Sequence, residues 1–411
     1  MSDSATNENL REGRGERGDF GKDQGVGMKK GWQTTQLSAV AAVQSGAGFP
    51  DRYQGQSDGE IPFYKVSDMN IAGNEREMVF ENNSITEEAR RELGAFLFPQ
   101  GSTIFPKIGG AIATNKKRLT TRDCCVDNNV MGVIPKLGKI NSELLFYFFL
   151  AHDLSEFANE AHLPSIRKTV VEDWPIILPV SLAEQQRIVG LLDEAFEGLA
   201  TAKTNAEKNL QNARALFESH LQSVFTQRGP GWVETTLESC CEQIFAGGDV
   251  PKDRLSEERT PKFSVPIYSN GEKNDGLYGF TDVARVTKPS ITVSARGTLG
   301  FTAIRTEPFL PVVRLIVLVP DERQIMLSFL YYAVVGMDFG NTGTSIPQLT
   351  VPNFKESKLH VPTLSEQEAI VEKLDALTEE TQRLARLYER KHVALEALKK
   401  SLLHQAFTGA L

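Results

Sequence analysis

Two stretches of the sequence carry several basic side chains and no acidic one, each around a glycine-containing turn. The first runs from Pro106 to Arg122 and the second from Ala284 to Arg305. Glycine lets a backbone approach a phosphate, and lysine or arginine can neutralise that phosphate or read guanine in the major groove. An ordinary solvated surface is the alternative, but because the pattern occurs twice we predict nucleic-acid contacts. The predicted contact residues are Lys107, Gly109, Gly110, Lys116, Lys117, Arg118 and Arg122, and then Arg285, Lys288, Arg296, Gly297, Thr298 and Arg305.

A second group of candidates consists of short polar or basic residues around Pro164 and Pro347. Such side chains on loops can contact phosphates and base edges. The alternative is that they are ordinary loop residues. The candidates are Ser165, Arg167 and Lys168 near the first proline and Thr344, Ser345 and Gln348 near the second.

The sequence contains no arrangement of residues that predicts catalysis. Gly109 and Gly110, followed by Asn115 and Lys116, lack the spacing of a phosphate-binding loop. The six histidines form no HExxH motif, and the four cysteines occur as two adjacent pairs without metal-ligand spacing. We therefore predict a non-catalytic chain that has no metal or cofactor site of its own.

Composition limits where nucleic acid could bind and in which compartment the chain works. The 411 residues have a net charge of −8, so a binding surface must be a local patch. No apolar run approaches the roughly 20 residues of a membrane span, and the N-terminus lacks the apolar core of a secretory signal. Unbridged cysteines then favour a cytoplasmic protein that makes no membrane contact.

A segment of 45 residues, Leu182–Thr226, recurs 182 positions later as Leu364–Thr408. Aligned without a gap, the copies are identical at fifteen of forty-five positions. Each opens with a hydroxyl residue and a glutamate three positions on, Ser181 with Glu184 and Thr363 with Glu366. That pattern is typical of a capping box at a helix start. We predict that both copies are helices.

Within each copy the residues follow a four-three alternation over four heptads, which predicts a coiled coil. Two amphipathic helices on separate domains are the alternative. The predicted seam is Ile188, Leu192, Ala195, Leu199, Ala202, Ala206, Asn209, Ala213, Leu216 and His220 in one copy, and Ile370, Leu374, Leu377, Thr381, Leu384, Tyr388, Lys391, Leu395, Leu398 and Leu402 in the other.

The sequence patterns that precede the first copy of the repeat occur again, in the same order, before the second copy. Gly231-Trp232 echoes Gly31-Trp32, and each half has a short aromatic-rich helix pattern, the first predicted from Ser142 with Asn141 as its cap. The predicted strands are Ile61–Val66, Ala95–Phe98, Ser102–Phe105, Val130–Ile134 and Pro175–Leu178. The predicted segments are a disordered extension (1–27), a first globular region (28–180), a long helix (181–228), a second globular region (229–362) and a second long helix (363–411).

The sequence resembles the DNA-specificity subunits of type I restriction-modification systems. The resemblance rests on the paired P-x-L-x-E-Q-x-x-I-V-x-x-L-D pattern, Pro179 to Asp193 and, one residue shorter at its start, Pro362 to Asp375. The Gly-Trp openings and the ending Ala406-Phe407-Thr408-Gly409 also fit, and the likeness covers about residues 28–411. The first copy departs from the second at its end, where Phe225-Thr226 is followed by Gln227.

The resemblance implies an α+β fold with an internal pseudo-twofold repeat. Two globular mixed α/β target recognition domains would be joined by two long helices that form an antiparallel coiled coil. Each domain would read one half of a bipartite, asymmetric site in double-stranded DNA, and the helices would set the spacer. Two methyltransferase subunits using S-adenosylmethionine and ATP-dependent endonuclease subunits using ATP and Mg²⁺ would supply the chemistry. Two alternatives remain open, namely part of a self-sufficient restriction-methylation enzyme and a coiled-coil interaction protein that does not bind DNA.

Overall fold

The computed structural model describes residues 29–227, 229–337, 339 and 349–411. Two globular regions of mixed strands and short helices follow one another along the chain, and each is followed by a helix of 45 residues. The strands are β1 (Trp32–Gln36), β2 (Ala41–Ser45), β3 (Ile61–Tyr64), β4 (Glu77–Met78), β5 (Ser84–Ile85), β6 (Thr103–Pro106), β7 (Arg118–Thr120), β8 (Cys125–Val126), β9 (Val130–Pro135), β10 (Pro175–Pro179), β11 (Val233–Thr236), β12 (Cys241–Ala246), β13 (Val265–Tyr268), β14 (Leu277–Thr281), β15 (Ser290–Val293), β16 (Thr302–Arg305), β17 (Leu310–Pro311), β18 (Ile316–Pro320) and β19 (Lys358–Val361). The α-helices are α1 (Leu37–Val40), α2 (Glu87–Leu93), α3 (Ser142–Ala151), α4 (Lys168–Glu172), α5 (Leu182–Thr226), α6 (Leu237–Cys240), α7 (Leu327–Val335), α8 (Val351–Lys355) and α9 (Leu364–Thr408).

The two globular regions share one strand order, except that the edge strand β4 of the first has no counterpart in the described part of the second. In the first, a sheet runs β2-β9-β6-β7-β4 and a smaller one runs β5-β3-β8. In the second, the corresponding sheets run β12-β18-β15-β16 and β14-β13-β17. The small sheets even share a parallel pair, β3 with β8 and β13 with β17. The duplication seen in the sequence is therefore a duplication of topology.

Each region is closed by an antiparallel ribbon made from its first and last strands. β1 pairs with β10 so that Trp32 faces Pro179, and β11 pairs with β19 so that Val233 faces Val361. The last strand of each ribbon leads directly into a long helix. The entry and the exit of each region therefore lie side by side.

A buried glutamine attaches the start of each long helix to its region. Gln185, fully buried, accepts a 2.7 Å hydrogen bond from the Asn141 amide and donates to the carbonyl oxygens of Lys139 and Pro179. Gln367 makes the same three bonds in the second region, with Met326, Gln324 and Pro362. The glutamine shared by the two copies is thus a structural anchor, because a buried amide needs partners for each polar atom.

A short buried helix, α3 or α7, lies against each long helix. Asn141 caps α3 as predicted, since its side chain accepts hydrogen bonds from the amides of Glu143 and Leu144. Six consecutive residues of α3, from Leu144 to Phe149, are buried. In α7, Phe329 lies 5.4 Å from Phe225 at the end of α5. These aromatic helices form the centre of each core.

The chain divides into two compact units, and each long helix contributes to both. The first unit contains residues up to Lys203 together with His392–Leu411, and the second contains Thr204–Lys391. Inside the first unit the helices run antiparallel, because Lys203 pairs with Glu396 at 3.9 Å while Arg187 donates to the Leu411 carbonyl. Leu221 of α5 and Leu374 of α9 share the apolar core of the second unit.

Both repeat copies are helices as predicted, but parts of the predicted seam are exposed. Leu216 is 66% exposed and Leu398, at the matching position, is 47% exposed. Asn209 and Lys391 are exposed as well. A straight helix has 3.6 residues per turn and drifts by about 20° per heptad from a strict 3.5 repeat. Residues beside the predicted seam are buried instead, among them Leu221, Leu403, Ala406 and Phe407.

Two local predictions differ from the structure. Ala95–Phe98 is not a strand, and only Phe98 makes an isolated bridge, to Cys124. The glutamates of the predicted capping boxes bind side chains, because Glu184 pairs with Arg187 and Glu366 accepts a 3.0 Å hydrogen bond from the Trp232 indole. Residues 1–27, predicted as a disordered extension, lie outside the described residues.

Candidate nucleic-acid interface

Two groups of residues that the sequence predicted separately meet in the first region. The Gly109 amide donates a 2.7 Å hydrogen bond to the Pro164 carbonyl, and the Ile166 amide donates to the Lys107 carbonyl at 2.9 Å. Gly109 has a φ of +67°, in the left-handed region that favours glycine. We call the paired loops, residues 107–110 and 163–168, the first candidate surface.

The first candidate surface exposes backbone and cations together. Gly110, Arg167 and Lys168 are exposed, whereas Ser165 is half-buried. Lys168 lies 3.6 Å from Glu172 within α4, so its charge is partly paired. Lys107 is half-buried and donates a 3.0 Å hydrogen bond to the Ser45 hydroxyl, and burial lowers its pKa. Arg167 is therefore the best-placed cation of this surface for an anionic ligand.

Asn159 holds this surface in place and was missed by the sequence analysis. Its side-chain oxygen accepts a 2.9 Å hydrogen bond from the Ser165 amide, and its backbone amide donates to the Ser165 carbonyl. An asparagine in a polar loop is too common a residue to stand out. Its contact with Ser165 requires the folded loop.

Lys116 and Arg122 lie beyond the first candidate surface and have protein partners. The Lys116 ammonium group donates to the Asn70 side chain, and Arg122 forms an ion pair with Glu81. Lys116 is half-buried and Arg122 exposed. Nucleic acid would compete with these partners for both cations.

Three of the predicted contact cations are internal, which corrects the prediction for them. Lys117 is 2% exposed and donates to the Asn115 side chain and the His152 carbonyl. Arg118 is 8% exposed and donates to the Met69 carbonyl. Burial lowers the pKa of Lys117 to about 8 and also lowers the pKa of Arg118. Because these groups already bind backbone carbonyls inside the first region, they are structural and leave the candidate surface.

Arg305 is the third internal cation. It is 4% exposed, and its guanidinium group donates to Thr292 and to the Asp275 carbonyl and pairs with the Asp275 carboxylate. It also stacks 3.7 Å from the centre of the Tyr268 ring. Because three protein groups and an aromatic ring already bind this guanidinium group inside the core, it is not available to contact DNA. Arg305 therefore also leaves the candidate surface.

The second region repeats the geometry of the first at the turn after β15. The Leu349 amide donates a 3.2 Å hydrogen bond to the Ala295 carbonyl, as Ile166 does to Lys107. Gly297 has a φ of +70° and corresponds to Gly109. Arg296, Gly297 and Thr298 are exposed, and we call this turn the second candidate surface. Thr344, Ser345 and Gln348 lie outside the described residues.

Arg285 and Lys288 lie outside the second candidate surface, and each contacts another side chain of the region. Arg285 is exposed and stacks 4.4 Å from the Phe245 ring centre, while Lys288 pairs with Glu242 at 2.6 Å. Both acidic and basic groups line the open cleft of about 430 Å³ that contains Arg285, among them Glu238, Glu242 and Lys355. Its mixed charge gives no preference for a polyanion.

Neither a metal cluster nor a membrane-spanning helix is found among the described residues. No group of three or more His, Cys, Asp or Glu side chains there could hold a metal ion. No helix in that part of the chain is long and apolar enough to cross a bilayer.

A family model for the "Type I restriction modification DNA specificity domain" matches residues 29–210 and 230–389. A putative type I specificity subunit of Mycoplasma pneumoniae is 27% identical over 347 residues, covering 84% of this chain and 89% of that protein. Another putative type I specificity subunit of the same organism is 33% identical over 263 residues, 60% of this chain and 76% of its own length. The sequence likeness thus extends over both halves of the chain.

Two solved structures share the fold. A chain described under "Structural basis underlying complex assembly and conformational transition of the type I R-M system" has a TM-score of 0.75 at 18% identity, covering 93% of this chain and 99% of its own. The HsdS subunit from Thermoanaerobacter tengcongensis has a TM-score of 0.62 at 18% identity, with coverages of 93% and 98%. The predicted fold class, two mixed α/β regions with two long helices, is confirmed.

Proposed function

Because this chain belongs to the type I restriction modification DNA specificity family, we propose that each globular region reads one half of a bipartite, asymmetric DNA sequence. The observation that carries the proposal is the recurring surface geometry. In both regions a backbone amide in a loop before the long helix donates a hydrogen bond to a carbonyl of the facing turn. That carbonyl belongs to the residue two positions before a left-handed glycine, Gly109 or Gly297. An arginine is exposed at each place, Arg167 or Arg296.

The dissimilarity of the two regions supports an asymmetric target. Strand order and helix anchors are duplicated, yet the side chains at the candidate surfaces differ. Ile108 occupies the position that corresponds to Arg296. Two scaffolds of one design that present different side chains suit two different half-sites, since base edges are read by hydrogen-bonding pattern.

The long helices suit a spacer function. Forty-five residues at about 1.5 Å rise make a helix roughly 66 Å long. Half-sites one duplex turn apart need a separation of about 34–36 Å. Either helix is therefore long enough to set such a distance, and a rigid anchor at each start fixes where it begins.

Catalysis is assigned in this proposal to partner subunits. Two methyltransferase subunits would bring S-adenosylmethionine, and endonuclease subunits would bring ATP and Mg²⁺. This chain would contribute recognition without covalent chemistry or a cofactor of its own.

Methylation of a random-sequence DNA library tests the proposal directly. The full chain is mixed with the methyltransferase subunit of its own system and S-adenosylmethionine, and methylated adenines are mapped by sequencing. A two-part motif with a fixed spacer is the expected result. Absence of such a motif contradicts the proposal, and methylation by this chain alone indicates a self-sufficient enzyme.

A further inference from the structure

A strained turn lies between β17 and β18 in the second region. Val313 has a φ of +53° and Arg314 a φ of +62°, both in the left-handed region. A β-branched residue is an outlier there, because its Cβ crowds the backbone. The amides of the two residues donate to the carbonyls of Gly248 and Gly247 at 2.8 and 3.2 Å. The fold therefore imposes a conformation that the sequence disfavours.

Asn270 ties this turn to the second candidate surface. Its side-chain oxygen accepts a 2.8 Å hydrogen bond from the Ala295 amide, at the base of the Arg296 turn. Its side-chain nitrogen donates a 2.5 Å hydrogen bond to the Val313 carbonyl. One half-buried side chain thus joins two turns that are distant in sequence.

The loop that carries Asn270 is itself fixed from two sides. The Gly271 amide donates to the Ser294 hydroxyl at 3.0 Å, next to the same Arg296 turn. At the other end of the loop, buried Arg305 binds Asp275, which has a φ of +55°. Backbone of this kind persists only where its surroundings determine it, and it concentrates at ligand-binding positions.

Three exposed cations stand on these joined segments, namely Lys273 on the loop, Arg296 on the first turn and Arg314 on the strained turn. Among the described residues no acidic side chain lies within ion-pair distance of Arg314 or Lys273. The corresponding turn of the first region, Asp127–Val130, contains no left-handed residue. The strained turn therefore occurs in one of two duplicated scaffolds and is absent at the corresponding place in the first region.

We propose that Asn270 is the positioning residue of a DNA-reading edge in the second region, and that Arg314 contacts DNA on this edge together with Lys273 and Arg296. The inference rests on the proposed function and extends it to residues outside the acid-free stretch. Arginine on a rigid turn can bind a phosphate or a guanine edge without first being ordered.

The first test compares Arg314→Ala with Lys358→Ala in the full chain. Lys358 is an exposed cation of the same region, but it belongs to β19 and pairs with Glu234. Each variant, assembled with the methyltransferase subunit, is titrated with its target duplex at several salt concentrations. Arg314→Ala is expected to weaken binding at least tenfold or to reduce the salt slope by about 0.9, the value for one neutralised phosphate. Lys358→Ala is expected to match the wild type.

The second test separates positioning from general stability. Asn270→Ala is expected to relax base preference only in the half-site read by the second region. Adding Val313→Asn should restore that preference, because asparagine tolerates the left-handed conformation without the Asn270 bond. A general loss of stability would weaken recognition of the whole sequence, whereas a positioning role confines the change to one half-site. If Asn270→Ala yields no folded protein, the Arg314→Ala titration still decides the inference.

The outcomes separate the inference from the function on which it rests. If the wild type recognises no bipartite sequence, the proposed function is wrong. If it recognises one and Arg314→Ala binds with unchanged affinity and salt slope, the inference alone is wrong. The inference is also overturned if Asn270→Ala alters both half-sites equally.

Discussion

The hydroxyl of Tyr332 donates a 2.6 Å hydrogen bond to Oδ1 of Asp375, and Tyr147 makes the same bond to Asp193 in the first region. Each ring is buried in a short helix, whereas each aspartate belongs to the Leu-Asp pair that the long helices share. The bond therefore attaches the exposed face of a long helix to the core of a globular region. Together with the buried glutamines, it explains why these positions are identical in the two copies.

Replacing Tyr332 with Phe removes this bond but retains the packed ring. We expect the free energy of unfolding to fall by about 1 kcal/mol, the usual net value of one hydrogen bond. Thermal unfolding of the full chain measures it. Tyr331→Phe is the matched control, because Tyr331 lies beside Tyr332 at a ring distance of 5.1 Å and is half-buried. Equal decreases in both variants would contradict the assigned role.

Gln367→Leu tests the second anchor. The leucine fills a similar volume but leaves the Met326 amide and the carbonyls of Gln324 and Pro362 without their partner. We expect the free energy of unfolding to fall by about 3 kcal/mol, because buried polar groups without a partner are costly. Gln382→Leu on the exposed face of the same helix is the control and should change stability by less than about 0.5 kcal/mol. Similar decreases in both variants would show that Gln367 is not an anchor.

Because Lys117 is a buried cation, we expect the free energy of unfolding to depend on pH in the alkaline range. Burial lowers its pKa from 10.5 to about 8. Below about pH 8 the Lys117 ammonium group is charged in both the folded and the unfolded chain. The burial of that charge then lowers the free energy of unfolding by its full amount. Between about pH 8 and 10.5 the unfolded chain binds more protons, so Lys117 makes stability rise with pH in this window. Lys117→Met should remove that contribution, as measured by urea unfolding at each pH.

Asn115→Ala is the control for this pH experiment. It deletes a hydrogen-bond partner of Lys117 but leaves the ammonium group to titrate. The variant should be less stable throughout and should still gain stability between about pH 8 and 10.5. If Lys117→Met shows the same rise as the wild type, Lys117 is not its source.

Substitution of the exposed arginines tests the two candidate surfaces. Arg167→Ala and Arg296→Ala should each weaken DNA binding and lower the salt slope by about 0.9 for every phosphate that the arginine neutralises. Binding is measured on the target duplex at several salt concentrations. Arg383→Ala is the control, because Arg383 is exposed on α9 and pairs with Glu380. A slope equal to that of the wild type would remove the substituted arginine from the interface.

Lengthening α5 tests the spacer. Four residues inserted after Ala206 add about 6 Å and roughly one helical turn, so the buried face is nearly preserved. We expect the methylated motif to keep both half-sites and to gain spacer length. A two-residue insertion is the control, since it rotates the following residues by about 200° and should abolish recognition. Changed half-sites with an unchanged spacer would refute the spacer function.

The sequence predicted the scaffold well because its signals are local or periodic. Both 45-residue helices have the bounds of the repeat, and the Asn141 cap follows from one residue and its position. The buried seam was less predictable at Leu216 and Leu398. A strict 3.5-residue repeat falls behind the 3.6-residue turn of a straight helix, so the predicted seam gradually rotates away from the face that is buried in the structure.

The candidate surfaces were predicted only in part, because charge in a sequence does not reveal burial. Lys117 and Arg305 look like their exposed neighbours until the folded chain brings the His152 carbonyl to Lys117 and Asp275 to Arg305. Conversely, nothing in the sequence marks Val313 as left-handed, since valine disfavours that conformation. Long-range hydrogen bonds decide both cases.

The ribbons that close the two regions have an evolutionary consequence. Because β1 pairs with β10 and β11 with β19, each region enters and leaves the scaffold at neighbouring points. A recombination event that replaces everything between two paired strands would keep the glutamine and the helix register. The incoming segment would then have to supply the backbone partners of that glutamine, as Lys139 and Asn141 do here. Under the proposed function, the segment between the ribbons is then a cassette, and exchanging it would give a new target specificity in one genetic step.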